Sequence, residues 1–326
     1  MQTRRKNLLA KSAVCVLLTT AVVVFFNRSN DYVQSVTNLF LCNCILVLGL
    51  NFITGLTGQM NLASAGMLAC GAYLYGILTT EGGWNSWMAL FAMLAVGFAL
   101  GMSLGYPSLR LKGFYLSLST IGFSEIVRLL ATNLQITGGV NGLNHIARLT
   151  TAFYNPVRKT DYFYILLFFT VLAIWFAWRI VNSKWGRAFK AIRDNIEAAE
   201  ASGLNVSKLK IQAFTLAAIY AAVAGALYAG YNVYINPTSF TIAQSQNYIA
   251  MLMIGGLGSV PGNILGTLIV TVLPEMLRGF QEYYWILFCT ICLVMAVLLP
   301  EGLYPLIKRL FLRMIHKFQK PAKGGK

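Results

Sequence analysis

The sequence predicts an all-α integral membrane protein, a polytopic bundle of about ten transmembrane helices. Three observations predict it. Of 326 residues, 57% are hydrophobic and only 11% are charged, where a soluble domain carries about 25% charged residues. Apolar segments close to the length of a bilayer crossing succeed one another along the chain. The basic surplus, a net charge of +16, sits at the ends of those segments and not on one face of a soluble domain, so it reads as a topology signal and excludes nucleic acid as a partner.

A crossing needs about 20 mostly apolar residues. The candidates are 11–26, 37–54, 62–80, 85–104, 114–134, 162–180, 212–234, 246–258, 262–278 and 284–300. The first comes after Arg4, Arg5 and Lys6 and has the outline of a signal peptide. Asn27, Arg28 and Ser29 come next in place of a small-x-small cleavage site, so an uncleaved span is expected. Between the second and third, Asn51, Gln59, Asn61 and Ser64 either line a polar path or satisfy the backbone of that turn, because unpaired backbone is very costly in lipid. The fourth carries Gly97, Gly101 and Gly105, a double GxxxG run that lets helices approach closely; Gly262 and Gly266 repeat the device in the ninth.

Glu125 and Arg128 fall inside the fifth span at i and i+3, where they share a face and can pair. They read either as a structural ion pair or as a gate near the outer end of a pathway. Glu275 and Arg278 close the ninth span, as a cap or as a docking point. The spacing Gly55, Gly58, Gly66 returns as Gly255, Gly258, Gly266, but the flanking residues do not align and the coincidence is expected to be chance. Cys289 and Cys292 form a CxxC inside the tenth span, where lipid-phase packing is the expected role.

Ten spans put both termini on one side. With the N-terminus inside, the inner segments hold 20 Lys and Arg and the outer segments only Arg28, Arg148, Arg158, Lys159 and Arg278, so both termini are expected in the cytoplasm. The expected organisation is a single transmembrane domain over 1–326, with a cytoplasmic loop at 181–211 and a basic cytoplasmic tail at 306–326 that faces anionic lipid.

The inner loop contains a helix too polar to span. Trp185, Phe189, Ile192, Ile196 and Ala199 draw one apolar stripe, with Arg187, Lys190, Asp194, Glu197 and Glu200 on other faces. Gly203 offers a left-handed cap and Ser207 a start for the next helix. Such a helix lies on the membrane, under the bundle, or in a partner.

Residues 197–203, EAAEASG, fit the E-A-A-x-x-x-G pattern by which permeases of ATP-driven importers engage their ATPase subunits, although the I-x-L-P continuation is replaced by AFTL at 213–216. GRAFKAIRDNIEAAEASGLNV (186–206), GLTGQMNLASAG (55–66), TGGVNGL (137–143) and MIGGLGSVPGNILGTLIVTVLPEMLR (253–278) all resemble stretches of branched-chain amino-acid ABC importer permeases of the LivM type. The resemblance implies a type II ABC importer permease-like fold in the bacterial plasma (inner) membrane. It implies translocation of Leu, Ile or Val, with urea, amides or other amino acids as the alternative. It implies four partners besides membrane lipid: a second related permease, two cytoplasmic ATPase subunits and an extracytoplasmic substrate-binding protein. Trp185, Phe189, Arg193, Glu197, Ala198, Ala199 and Gly203 would form the ATPase-coupling helix; Asn51, Gln59, Asn61, Ser64, Glu125 and Arg128 would lie on the path or its gate.

The chain carries no G-x-x-x-x-G-K-[ST] loop, so ATP and Mg are expected on the partner ATPases and no cofactor on this chain. A stand-alone secondary transporter would need acidic ion sites at midplane, yet Glu125 is the sole acid well inside a span and has an arginine beside it. An intramembrane enzyme is disfavoured: His145 and His316 are the only histidines and both fall outside the spans.

Overall fold

The computed structural model describes residues 23, 26–111, 113–150, 161–277, 283–298, 302–307 and 309. Nearly all of the expected first span, Arg158, Lys159, Arg278 and the tail beyond 309 lie outside the described residues. The helices are α1 (Asp31–Leu50), continued by a π-helical turn (Asn51–Leu56), α2 (Ser64–Thr80), α3 (Ser86–Arg110), α4 (Phe114–Asn133), α5 (Phe163–Val181), α6 (Lys184–Asp194), α7 (Ile196–Ala201), α8 (Val206–Asn232), α9 (Ile242–Gly255), α10 (Val260–Leu277) and α11 (Tyr284–Leu298). Among the described residues, six are long and apolar enough to cross a membrane: α1 with its π turn, α3, α4, α5, α8 and α10. Helices α2, α9 and α11 are shorter, at 17, 14 and 15 residues. Among the described residues, pairing of the β kind is limited to one antiparallel bridge between Leu143 and Ile235.

The bundle is built around α8. Its sequence from Ala217 to Gly230 is mostly Ala and Gly, which leaves a nearly smooth rod. Lipid gives apolar helices no hydrophobic reason to associate, so attraction must come from close packing of backbones. The glycine run of α3 supplies one such contact. A Cβ added at Gly97 or Gly101 would strike the backbone of Ile219 or Thr215, and at Gly105 it would lie 3.1 Å from the Cα of Ile211. On another side, Gly71 of α2 meets Ala222, and Gly225 of α8 packs in turn against Leu68 and Ala72. Gly49 of α1 meets the side chain of Tyr220. Tyr220 then donates its hydroxyl to the Ala173 carbonyl at 3.0 Å, which ties α5 to the same rod. Gly262 and Gly266 set α10 against the end of α9.

Helix direction alternates, which sorts the connections between two ends. At one end the segment 135–150 straps the bundle. Gly138 and Gly142 take the left-handed turns that the TGGVNGL stretch requires, with φ of +77° and +75°. Leu143 exchanges backbone hydrogen bonds with Ile235. Beyond them, the carbonyls of Ala147, Arg148 and Thr150 accept from Tyr75 Oη, Ser86 Oγ and Trp87 Nε1 at 3.0, 2.9 and 2.7 Å. At the opposite end lie α6, α7 and two glycine loops, 55–58 and 255–258.

Candidate coupling and translocation site

Helix α6 starts where Ser183 Oγ accepts from Trp185 N at 3.1 Å. It buries Gly186, Phe189 and Ile192 against the end of the bundle. The sequence suggests one helix through Ala199, but the chain breaks at Asn195. That residue has an extended backbone (φ −160°, ψ 117°), and its Oδ1 accepts from Ala198 N at 3.0 Å, so it caps α7. An Asn side chain that can serve a neighbouring N–H competes with the helix ladder, and here it wins. The apolar stripe therefore holds at Phe189, Ile192 and Ala199, while Trp185 and Ile196 are exposed. Gly203, at φ +80°, closes α7: its N–H donates to Glu200 and that of Leu204 to Ala199, the paired bonds of a Schellman cap. The next helix begins at Asn205 and not Ser207, because Asn205 Oδ1 accepts from Lys208 N at 2.9 Å. Glu197, Ala198 and Glu200 stand exposed as a ridge. Beside them a groove of about 220 Å³ runs between α6 and the start of α8, lined among others by Trp185, Ala188, Gly203, Leu204 and Lys208.

The two glycine loops meet directly beneath α6. Gly55 and Gly258, which are not equivalent positions of the repeated glycine spacing, are in contact, and a Cβ on Gly258 would sit 3.3 Å from the Gly55 carbonyl. Gly66 and Gly266 serve separate contacts, with Ser124 and with Met251. Asn51 is fully buried and its Oδ1 accepts from Gly258 N at 2.9 Å, across the junction. The π turn loosens this end of α1, and Ile53 O receives both Thr57 N and Gln59 N at 3.2 and 3.3 Å. The Gly55 carbonyl accepts from Arg193 Nη1 at 2.7 Å.

The segment 57–63 has no regular secondary structure, and its groups are served partly by its own side chains and partly by α4. Asn61 Oδ1 accepts from Ala63 N. Leu62 donates to Thr120 Oγ1 and accepts from Ser124 Oγ, both at 3.1 Å. Helix α2 has Ala63 at its cap position and no cap of its own. Ser245 Oγ and Ser124 Oγ take the N–H groups of Ala65 and Gly66 at 3.0 and 3.2 Å. Ser64 Oγ, Asn61 Nδ2 and Asn51 Nδ2 are buried without a protein partner among the described residues, as are both amide atoms of Asn263 on α10. Gln59 is half-buried and donates to Thr57 at 3.3 Å. Thr120, Ser124 and Ser245 were not separable by sequence from the many Ser and Thr of the spans; their distinction is what they reach across to.

Glu125 and Arg128 do pair on α4: Arg128 Nε lies 3.1 and 3.0 Å from the two carboxylate oxygens, and its Nη2 also reaches Oε1. Both side chains are about one-third exposed, at 34% and 29%. Gly122, one turn away, has open space where a Cβ would stand. The pair thus sits at the edge of the Thr120 and Ser124 face that grips the turn, and Gly122 lies on the open side of α4.

Comparison with known proteins covers almost the whole chain. The family described as "Branched-chain amino acid transport system / permease component" matches residues 32–298. The high-affinity branched-chain amino acid transport system permease protein LivM of Salmonella typhimurium is 33% identical, across 91% of this chain and 76% of that one. Its Escherichia coli counterpart is 34% identical with the same coverage. A probable branched-chain amino acid transport permease protein LivM of Methanocaldococcus jannaschii is 29% identical over 67% of this chain and 68% of its own. No solved structure matches the chain.

Proposed function

The chain belongs to the branched-chain amino acid transport permease family, and from that premise we propose that it is the transmembrane permease subunit of an ATP-driven importer of leucine, isoleucine and valine. The substrate class rests on the similarity to the two enterobacterial LivM proteins at 33% and 34%. In this reading the chain hydrolyses nothing. Two ATPase subunits carry ATP and Mg, an extracytoplasmic protein delivers the solute, and a second, related permease completes the path. The end that bears α6 and α7 faces the cytoplasm, because the inner segments so defined hold 20 of the Lys and Arg residues.

The observation that carries the reading is the surface of α6 and α7. Phe189, Ile192 and Ala199 are consumed in docking to the bundle, yet the exposed Trp185 and Ile196, an acidic ridge and a groove of about 220 Å³ remain on the outside. The exposed bases Lys184, Arg187, Lys190 and Arg193 of α6 suit lipid headgroups, but the exposed acids Glu197 and Glu200 of α7 do not. The Glu125–Arg128 pair and the open face around Gly122 suit the wall shared with the second permease. There a paired carboxylate and guanidinium meet the ammonium and carboxylate of a passing amino acid without a deep trap.

The test is substrate-stimulated ATP hydrolysis by the assembled complex in proteoliposomes. Reversal of an interfacial charge costs about tenfold or more. Glu197→Lys and Gly203→Trp are expected to lose that stimulation by such a factor while the permease remains inserted. Full stimulation and transport in both variants would remove the basis for the coupling assignment.

A further inference from the structure

We infer that Arg193 is a positioning residue that transmits displacement of α6 to the junction of the two glycine loops; the inference rests on the coupling role of α6 proposed above. Arg193 is the penultimate residue of α6, next to the break at Asn195, where the helix ladder ends. It is exposed to the outside, and yet its Nη1 reaches 2.7 Å from the Gly55 carbonyl. One side chain therefore belongs both to the partner-facing surface and to the membrane bundle.

Its seat is made of glycine. A Cβ on Gly58 would come within 3.0 Å of Arg193 Cγ, and one on Gly258 within 3.7 Å of Nη1. Gly58 and Gly258 have φ of +71° and +79°, values that glycine adopts freely and other residues do not. Gly302, from the chain after α11, packs against Gly256 in the same junction. Two glycine loops thus meet at Arg193, with Gly58 along its stem and Gly55 and Gly258 at its guanidinium.

The carbonyl that Arg193 holds lies in the π turn, where the wider ladder leaves α1 unlike a rigid helix end. Asn51, in the first position of that turn, holds Gly258 of the other loop. A shift of α6 is therefore carried through Arg193 to Gly55, through the π turn to Asn51, and so to the loop that joins α9 and α10. The buried side chains Phe189 and Ile192 make apolar contacts, which have no preferred direction, whereas a charge-assisted hydrogen bond to a carbonyl is directional.

The experiment uses the full importer complex in proteoliposomes and reads solute moved per ATP hydrolysed, with Glu197→Lys run in parallel. Arg193→Met keeps the stem and removes the donors; Arg193→Lys keeps a charge and a donor. A hydrogen bond to a charged group is worth a factor of about ten or more. The expected result is an Arg193→Met complex that retains its ATPase subunits on purification and moves about tenfold less solute per ATP, with Arg193→Lys recovering most of the loss. A merely structural role would lower the amount of assembled complex without changing this ratio. If Arg193→Met keeps the wild-type ratio while Glu197→Lys lowers it, coupling stands and the Arg193 link is wrong. If neither variant alters the ratio, the coupling role of α6 itself is wrong. An Arg193→Lys complex as defective as Arg193→Met would also overturn the link, since it would show that donation to Gly55 is not what matters.

Discussion

Helices α8 and α4 are both long enough and apolar enough to cross a membrane, and they are used in opposite ways. In its most apolar stretch α8 is 72% buried within this chain, and α4 only 28%. Helix α8 meets α1, α2 and α3 closely, and the glycines at those contacts leave no room for a Cβ. Helix α4 is anchored along one line, Ser117, Thr120, Ser124 and Ala131, and its other faces are open. The open side carries Gly122 and the edge carries a charged pair, neither of which lipid rewards. Helix α4 leaves such groups outside the contacts of its own chain, whereas α8 hides its Ala and Gly within them.

The contrast can be broken most decisively at Gly101. Gly101→Leu would force a side chain into the Thr215 backbone, where nothing flexible can give way. Overpacking of this kind costs about 1–3 kcal/mol or more. The expected outcome is loss of monodisperse protein in detergent, measured by size-exclusion chromatography; a well-behaved protein of unchanged thermal stability would mean that α3 and α8 are not in contact as described.

The middle-sized effect is at the ion pair. Glu125→Arg and Arg128→Glu each leave a like-charged neighbour, and each is expected to reduce transport severely. The exchanged double variant is expected to restore most of the loss if the two residues serve only each other. If the double variant is no better than the singles, another chain or the solute is their partner, which would sharpen the reading of α4 as a wall of the path.

The smallest effect on the chain itself is expected at Gly122. In an open helical position Gly→Ala gains up to about 1 kcal/mol of helix propensity. Thermal stability of the isolated permease is expected to hold or rise slightly in Gly122→Ala. A fall in stability would mean that α4 is buried within this chain and that the comparison with α8 is mistaken.

Much of the architecture was legible in advance because lipid imposes a simple rule. A segment that crosses must be long, apolar and helical, so the six long apolar helices among the described residues could be read from composition, although α1, α3 and α8 run past the expected bounds to Asp31, Arg110 and Val206. The glycines at 97, 101 and 105 announced a close approach because their spacing puts them on one face. What they approach was invisible, since many helices in this chain carry Ala and Gly. The polar helix showed its apolar positions at Phe189, Ile192 and Ala199, but its break was hidden: Asn195 is compatible with a helix interior until its side chain finds the Ala198 N–H. The cap at Gly203 was legible because the left-handed turn is a local matter, and the start at Asn205 was missed because Ser207 is an equally good local candidate. In the candidate site, Glu125 and Arg128 could be paired from spacing alone, since both lie on one helix.

The sequence by itself determined which segments are helices, which are too polar to cross, and where charge accumulates, because these are set by backbone satisfaction and side-chain transfer between water and lipid. The tertiary structure decided that Gly55 lies against Gly258, that Asn51 holds the loop 207 residues away, and that Arg193 leaves the exposed surface of α6 to grip a carbonyl of the bundle. Those are contacts between backbones and single polar groups far apart in the chain. They depend on where the helices cross, and no local pattern encodes a crossing.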